Sequence, residues 1–199
     1  MLFDALLLAT ANRHKYEEFL RLLPCGLAGE FLYAPDVAPL EVEETGTTYA
    51  MNALLKAEAW ARASGMPSLA DDSGIEVEAL SWAPGVRSAR IVEGGDRDRL
   101  QWLVAKMEPF KEPSQRRAHF VAALALAVPG EWTAVCEGSC SGHLAHAPSG
   151  SRGFGYDPLF IPDGYAVSFG ELPASVKDEI SHRASALRTL RGILPQNRP

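Results

Sequence analysis

Four constellations of residues along the chain carry residue types that could do chemistry together. The first is Thr10-Ala11-Asn12-Arg13-His14-Lys15, which offers a hydroxyl, an amide and an ammonium. It follows the apolar run Leu6-Leu7-Leu8-Ala9 and precedes helical spacing, so it falls where a strand hands over to a helix. Unpaired N–H groups and the dipole at a helix start favour an anion there. Thr10, Asn12 and Lys15 would complete a phosphate grip. The same residues would also serve an ordinary capped helix with a solvated lysine. No Gly-x-x-x-x-Gly-Lys-Ser/Thr pattern occurs, so this is not a P-loop.

The second stretch type is acidic: Glu43-Glu44-Thr45-Gly46, and Asp71-Asp72-Ser73-Gly74. Paired carboxylates suit a hard cation such as magnesium, which takes oxygen ligands and keeps several waters. A carboxylate beside that ion could also take a proton from an attacking water. Taken singly, each segment equally suits a turn or a solvated loop. The third is Gly153-Phe154-Gly155-Tyr156-Asp157-Pro158, where glycines free the backbone and two aromatic rings offer flat faces for a purine. A tight turn with core aromatics would look the same. The fourth is Lys177 with Ser181-His182-Arg183. Ser181 can cap the last helix, which puts two basic residues in a first turn whose dipole disfavours them. A ligand is one reason for that placement, and a surface arginine is the plain one.

The elements that must position these stretches can be read from periodicity. A helix is expected over 14–23 with Tyr16, Phe19, Leu20 and Leu23 on one face and Gly26 beyond its end. Thr47 or Thr48 caps a second helix reaching 64, where Gly65 and Pro67 stop it. Residues 68–70 and 75–77 read as two strands around an acidic turn. Leu100, Leu103, Val104 and Met107 give a third helix. Residues 118–128 read as a central strand with a hairpin partner over 132–139 across Pro129-Gly130. The last helix, from 181, turns Leu187, Leu190 and Leu194 inward. Strands alternating with helices define an α/β fold, and no linker separates residues 1–199 into independent domains.

Two other patterns are decoys. Cys136 and Cys140, followed by His143 and His146, resemble a zinc ligand set. On a strand the two thiols would stand about 13 Å apart at about 3.3 Å per residue, too far to share one ion. Gly138-x-Cys140-x-Gly142 mimics a nucleophile elbow, but Pro148 and Gly150 deny it the helix that must follow.

Composition sets the outer bounds. The 199 residues are 47% hydrophobic, ample for one large core or two lobes sharing one. The net charge of -6 argues against binding bulk nucleic acid, which needs many phosphates neutralised. Three cysteines cannot complete a disulfide framework, and neither a basic leader nor a membrane-length apolar run occurs, so a cytoplasmic protein is expected.

The stretches LLATANRHKYEEF, EETGTTYAMNALLKA, LADDSGIEVEAL, APGVRSAR, GFGYDPLF and KDEISHRASAL occur in one order along nearly the whole chain. Together they resemble the inosine triphosphate pyrophosphatase family, also called non-canonical purine triphosphate or XTP/dITP diphosphatases. The resemblance implies an elongated, two-lobed α/β structure with a long mixed sheet flanked by helices and an active-site cleft between the lobes. It also implies a homodimer, a Mg2+ cofactor, and hydrolysis of ITP, dITP and XTP to the monophosphate and pyrophosphate. By the same resemblance Thr10, Asn12 and Lys15 grip the triphosphate, and Glu44 and Asp72 hold the metal. Asp72 is the general base for attack of water on the α-phosphorus. Ser73 touches substrate, and Phe154, Gly155, Tyr156 and Asp157 form the base-binding loop. Lys177, His182 and Arg183 complete the nucleotide contacts, the last two reading the purine edge. Arginine N–H groups would donate to a 6-oxo group and leave adenine's 6-amino group stranded. Two positions depart from the family pattern: Arg87 stands where an aromatic is frequent, and Ile75 replaces a leucine. The competing expectations are a Maf-type pyrophosphatase, a non-catalytic nucleotide-binding module, and a hydrolase using Cys140.

Overall fold

The computed structural model describes residues 1–194 of the chain. Its elements are β1 (Phe3–Leu8), α1 (Arg13–Leu22), β2 (Ala28–Tyr33), α2 (Ala34–Val37), α3 (Tyr49–Ser64), β3 (Ser68–Val77), α4 (Asp96–Lys106), β4 (Arg117–Ala127), β5 (Thr133–Leu144), β6 (Phe160–Pro162), α5 (Ala174–Ile180) and α6 (His182–Ile193). The strands form a single sheet in the order β2-β1-β3-β4-β5-β6. β1 runs parallel to β2 and to β3, while β5 and β6 are antiparallel, so the sheet is mixed. The expected α/β class with a mixed sheet flanked by helices is what the chain adopts.

The helix ends follow local chemistry. Asn12 caps α1, its side chain accepting from the His14 and Lys15 N–H groups. Thr48 caps α3 by accepting from Met51 N–H, and Gly65 ends that helix in the left-handed conformation, φ 69°. One expectation for α1 fails: Leu20 is 42% exposed, and the helix buries Glu18 beside Phe19 instead. Burying Glu18 is tolerable because a guanidinium meets it, as described below.

The larger correction concerns residues 68–77. They form one continuous strand, with no turn at Asp71-Asp72-Ser73-Gly74. Turn propensity loses here because side chains alternate across a strand, so successive carboxylates can reach different partners. β5 also extends beyond the expected 139, to Leu144. β2 was not legible as a strand, since it is half-exposed and carries Gly29 and Glu30. Gly29 is required there, because a Cβ would lie 2.8 Å from the Asp4 carbonyl of neighbouring β1.

The chain gathers into two compact units. Unit 1 comprises Met1–Asp72, Ala122–Gly138 and the chain from Arg183. Unit 2 comprises Ser73–Val121 and Ser139–His182. β3, β4 and β5 each give residues to both, which is why no linker is visible in the sequence. Unit 1 packs Leu6, Leu8, Phe19, Leu69, Leu124, Leu126, Leu187 and Leu190 into its core. Leu194, expected inward, packs against that core. Unit 2 packs Ile75, Val77, Leu103, Met107, Phe120, Leu144, Phe160 and Phe169. Among the described residues no helix is long and apolar enough to cross a membrane.

Candidate active site

The sheet places the chemistry of unit 1 at the carboxyl end of β1, beside the stretch of the parallel strand β3 that runs on past it. β1 pairs with β3 through Leu8 and Leu69 and then stops, while β3 continues into Asp71 and Asp72. Thr10 to Lys15 follows β1 directly, and ligands of open α/β sheets collect at such strand ends. The two segments meet: Lys15 Nζ stands 3.1 Å from Asp71 Oδ1. Asn12 N–H donates to Thr10 Oγ1 at 3.1 Å, so Thr10, Asn12 and Lys15 form one ordered turn.

Asp71 is the hub of a buried charge network. Its Oδ2 accepts from Arg183 Nε at 3.0 Å, and Arg183 Nη1 donates to Glu18 Oε2 at 3.1 Å. Burial alone would push the Asp71 carboxyl upward, but Lys15, Arg183 and Lys56 outweigh it and hold it well below the usual carboxylate range. Burial pushes Lys15 downward against the pull of Asp71. The network also accounts for a cation in the first turn of α6, since Asp71 and Glu18 supply the anionic charge that the dipole prefers there.

Asp72, on the other side of β3, faces a second set of groups. Asn52 Nδ2 donates to its Oδ2 at 2.9 Å. Lys56 Nζ lies 3.9 Å from its Oδ1, donates to the Asp71 carbonyl at 2.7 Å, and is hydrogen-bonded to Glu44 Oε1. Burial pushes the Asp72 carboxyl upward, partly offset by Lys56 and the Asn52 hydrogen bond. A carboxylate raised in this way is a better proton acceptor than a solvated one.

These contacts test whether a divalent cation fits. The two carboxylates assigned to magnesium, Glu44 and Asp72, both face one point of positive charge, the Lys56 ammonium. Among the described residues no group of three or more His, Cys, Asp and Glu side chains gathers around one point. Two carboxylates, with the remaining positions left to water and phosphate oxygens, match magnesium, which seldom takes a full protein cage. The donor set therefore fits.

Unit 2 holds the other residues. Lys177 Nζ donates to Asp157 Oδ2 at 2.6 Å, and the same oxygen accepts from Phe154 N–H at 2.8 Å. The ammonium sits over the Phe154 ring, 4.6 Å from its centroid. Gly153 has φ 73°, and a Cβ on it would fall 2.1 Å from Asp157 Oδ2, so only glycine fits beneath this pair. Gly155 N–H donates to Asp96 Oδ2 at 2.8 Å. Tyr156 is a core residue, with its hydroxyl donating to the Ser88 carbonyl at 2.9 Å. Of the two aromatics in this loop, only Phe154 is partly exposed. His182 stacks on Phe120 with centroids 4.8 Å apart. Ser73, half-buried, lies on β3 immediately after Asp72.

Sequence reading missed Asn52 and Lys56, gave Glu18 no role, and took Asp71 only as one of a carboxylate pair suited to a cation. A usable signal existed: Asn52 and Lys56 are four apart on α3, on the face that also buries Ala53, Ala57 and Trp60. Polar residues on an otherwise buried stripe need partners. Cys140, by contrast, is buried on β5, and burial pushes its thiol up to about 11, the wrong direction for a nucleophile.

A mixed α/β sheet that brings carboxylates and lysines beside a capped helix start has the groups that a phosphorylated ligand and a hard cation require. The family can be named directly: a Ham1 family model matches residues 6–193, and the chain belongs to the Ham1 family. It is 46% identical over 191 residues to a dITP/XTP pyrophosphatase of Streptomyces avermitilis, covering 93% of this chain and 94% of that one. Among solved structures it is similar to a HAM1 protein from Coxiella burnetii, with TM-score 0.83 and 34% identity over 97% of this chain and 98% of that one. It is also similar to a dITP/XTP pyrophosphatase from Mycobacterium abscessus, with TM-score 0.73 and 39% identity over 96% and 100%.

Proposed function

We propose that this chain is a magnesium-dependent pyrophosphatase that hydrolyses ITP, dITP and XTP to the monophosphate and pyrophosphate. The activity class is supported by the similarity to proteins named dITP/XTP pyrophosphatase. The observation that carries the mechanism is the convergence of Glu44 and Asp72 on one cationic point, with the Asp72 carboxyl pushed upward by burial. When bound, the metal would supply Lewis-acid stabilisation of phosphate charge. Asp72 orients a water against the α-phosphorus and takes its proton. Lys15 and the turn of Thr10 and Asn12 bind the phosphates, with Lys15 offsetting charge on the leaving pyrophosphate. Ser73 adds a substrate contact.

In the same reading, Phe154 gives the base a face and Lys177, Asp157, Gly155 and Tyr156 hold that loop in shape. His182 and Arg183 read the purine edge. For Arg183 this requires donors beyond Nε and Nη1, which Asp71 and Glu18 engage. A homodimer completes the proposal, on the family resemblance alone; sedimentation of the purified protein tests it.

The deciding measurement is pyrophosphate release from inosine, xanthosine, guanosine and adenosine triphosphates, with magnesium and with chelator. Fast release from the first two, lost with chelator, is the expected outcome. Asp72→Asn should lower turnover by about 10²–10⁴-fold with the fold intact. Equal release from all four, or a fully active Asp72→Asn, would overturn the substrate reading and the base assignment respectively.

A further inference from the structure

Asn52 is completely buried on α3, and its amide is divided between two partners. Nδ2 donates to Asp72 Oδ2 at 2.9 Å, and Oδ1 accepts from the Gly46 backbone N–H at 2.8 Å. The partners fix the orientation of the amide, because a backbone N–H can only donate and an ionised carboxylate can only accept. Gly46 lies two residues beyond Glu44. One buried side chain therefore ties the segment carrying Glu44 to the strand carrying Asp72.

The fit at the Gly46 end is close. A Cβ on Gly46 would lie 2.6 Å from Asn52 Oδ1 and 2.7 Å from Met51 Cβ, so any side chain there displaces the loop. Lys56, one turn further along α3, bridges the same two segments through Glu44 and Asp72. That bridge is a cation, and a metal arriving between the carboxylates competes with it. Asn52 is neutral and faces Gly46 and Asp72 without depending on the Lys56 charge.

We propose that Asn52 is a positioning residue, which holds Asp72 at a fixed place relative to the Glu44 segment so that both carboxylates keep their spacing when the metal binds. This rests on the roles given to Glu44 and Asp72 above. Asn52 acts through Asp72 and takes no part in the reaction itself. A side chain that only filled the core at this place would be apolar like its neighbours Ala53 and Ala57.

Two variants separate the ends of the strut. Asn52→Leu keeps the volume and removes both hydrogen bonds. Asn52→Asp keeps an acceptor for Gly46 N–H and removes the donor to Asp72. For each, the readings are the thermal midpoint, kcat and KM for inosine triphosphate, and the shift of the midpoint when magnesium is added without nucleotide. The expected result is a folded protein whose kcat falls by about 30- to 100-fold, as a misplaced catalytic group predicts. KM should stay within about threefold, since the nucleotide contacts are untouched. The midpoint shift produced by magnesium alone should shrink in both variants. Near-parental kcat in a folded variant, a loss carried by KM alone, or an undiminished magnesium shift overturns the proposal. If Asn52→Leu does not fold, Asn52→Asp and Gly46→Ala, which presses on the same amide from the loop, carry the test. Failure of all three to fold assigns Asn52 to stability instead. Asp72→Asn is the control: full activity there removes the role of Asp72 itself. An inactive Asp72→Asn beside a fully active Asn52→Asp removes only that of Asn52.

Discussion

The two units bury charge in different ways. In unit 1 the charges are shared: Asp71 meets Lys15 and Arg183, Arg183 also holds Glu18, and Lys56 reaches Glu44, Asp72 and the Asp71 carbonyl. In unit 2 they are settled locally. Lys177 has Asp157, and the buried Arg116 donates to the carbonyls of Leu144, Met107, Phe110 and Ala145. Shared networks transmit a change at one member to all the others, because each buried charge depends on several partners in a low dielectric. Local pairs confine the damage. The first arrangement suits a site whose charges must respond together to an arriving polyphosphate, and the second suits a loop that must keep one shape.

The strongest way to break this contrast is Arg183→Ala. It leaves Glu18 and Asp71 without their guanidinium, and loss of one partner from such a buried pair costs about 3–5 kcal/mol. Denaturant unfolding measures it, and a loss below about 1 kcal/mol would mean that the network is no more than a set of surface-type pairs. Because stability falls, the effect of Arg183 on base selectivity is better read in Arg183→Lys, which keeps a cation against the carboxylates. If Arg183 reads the 6-oxo group, the preference for inosine over adenosine triphosphate narrows there.

A smaller effect is expected in unit 2. Asp157→Asn retains an acceptor for Phe154 N–H but loses the charge opposite Lys177. The stability loss should be about 1–3 kcal/mol. If the loop holds the base, as proposed, KM for inosine triphosphate should rise while kcat changes little. A fall in kcat with unchanged KM would move this loop into the chemistry and blur the distinction between the units.

The smallest effect is expected at the thiols. Burial pushes Cys136 and Cys140 up to about 11, so both stay protonated until the pH approaches that value. Iodoacetamide at pH 8 should therefore label only the exposed Cys25 and leave turnover unchanged. Mass spectrometry counts the adducts. Inactivation in step with labelling of Cys140 would revive a cysteine mechanism.

Much of the frame was legible because local rules sufficed. Thr48 and Gly65 bound α3, Asn12 starts α1, and the apolar periodicities of α4, α6 and β4 survive in the structure. These depend on capping, on glycine's freedom and on burial period, all of which act within a few residues. The phosphate-type turn at Thr10, Asn12 and Lys15 and the acidic positions Glu44 and Asp72 were likewise visible as residue types in order. What only the tertiary structure decided was which charge meets which. Asp71 and Asp72 look like a turn until β3 is continuous and the alternation of a strand sends one to Lys15 and Arg183 and the other to Asn52 and Lys56. Arg183 shows only a helix-start position in the sequence, while its guanidinium lies between two buried carboxylates 112 and 165 residues away. Partners so distant leave no mark on spacing or periodicity, because pairing of buried charge is set by distance in space and by the dielectric around it.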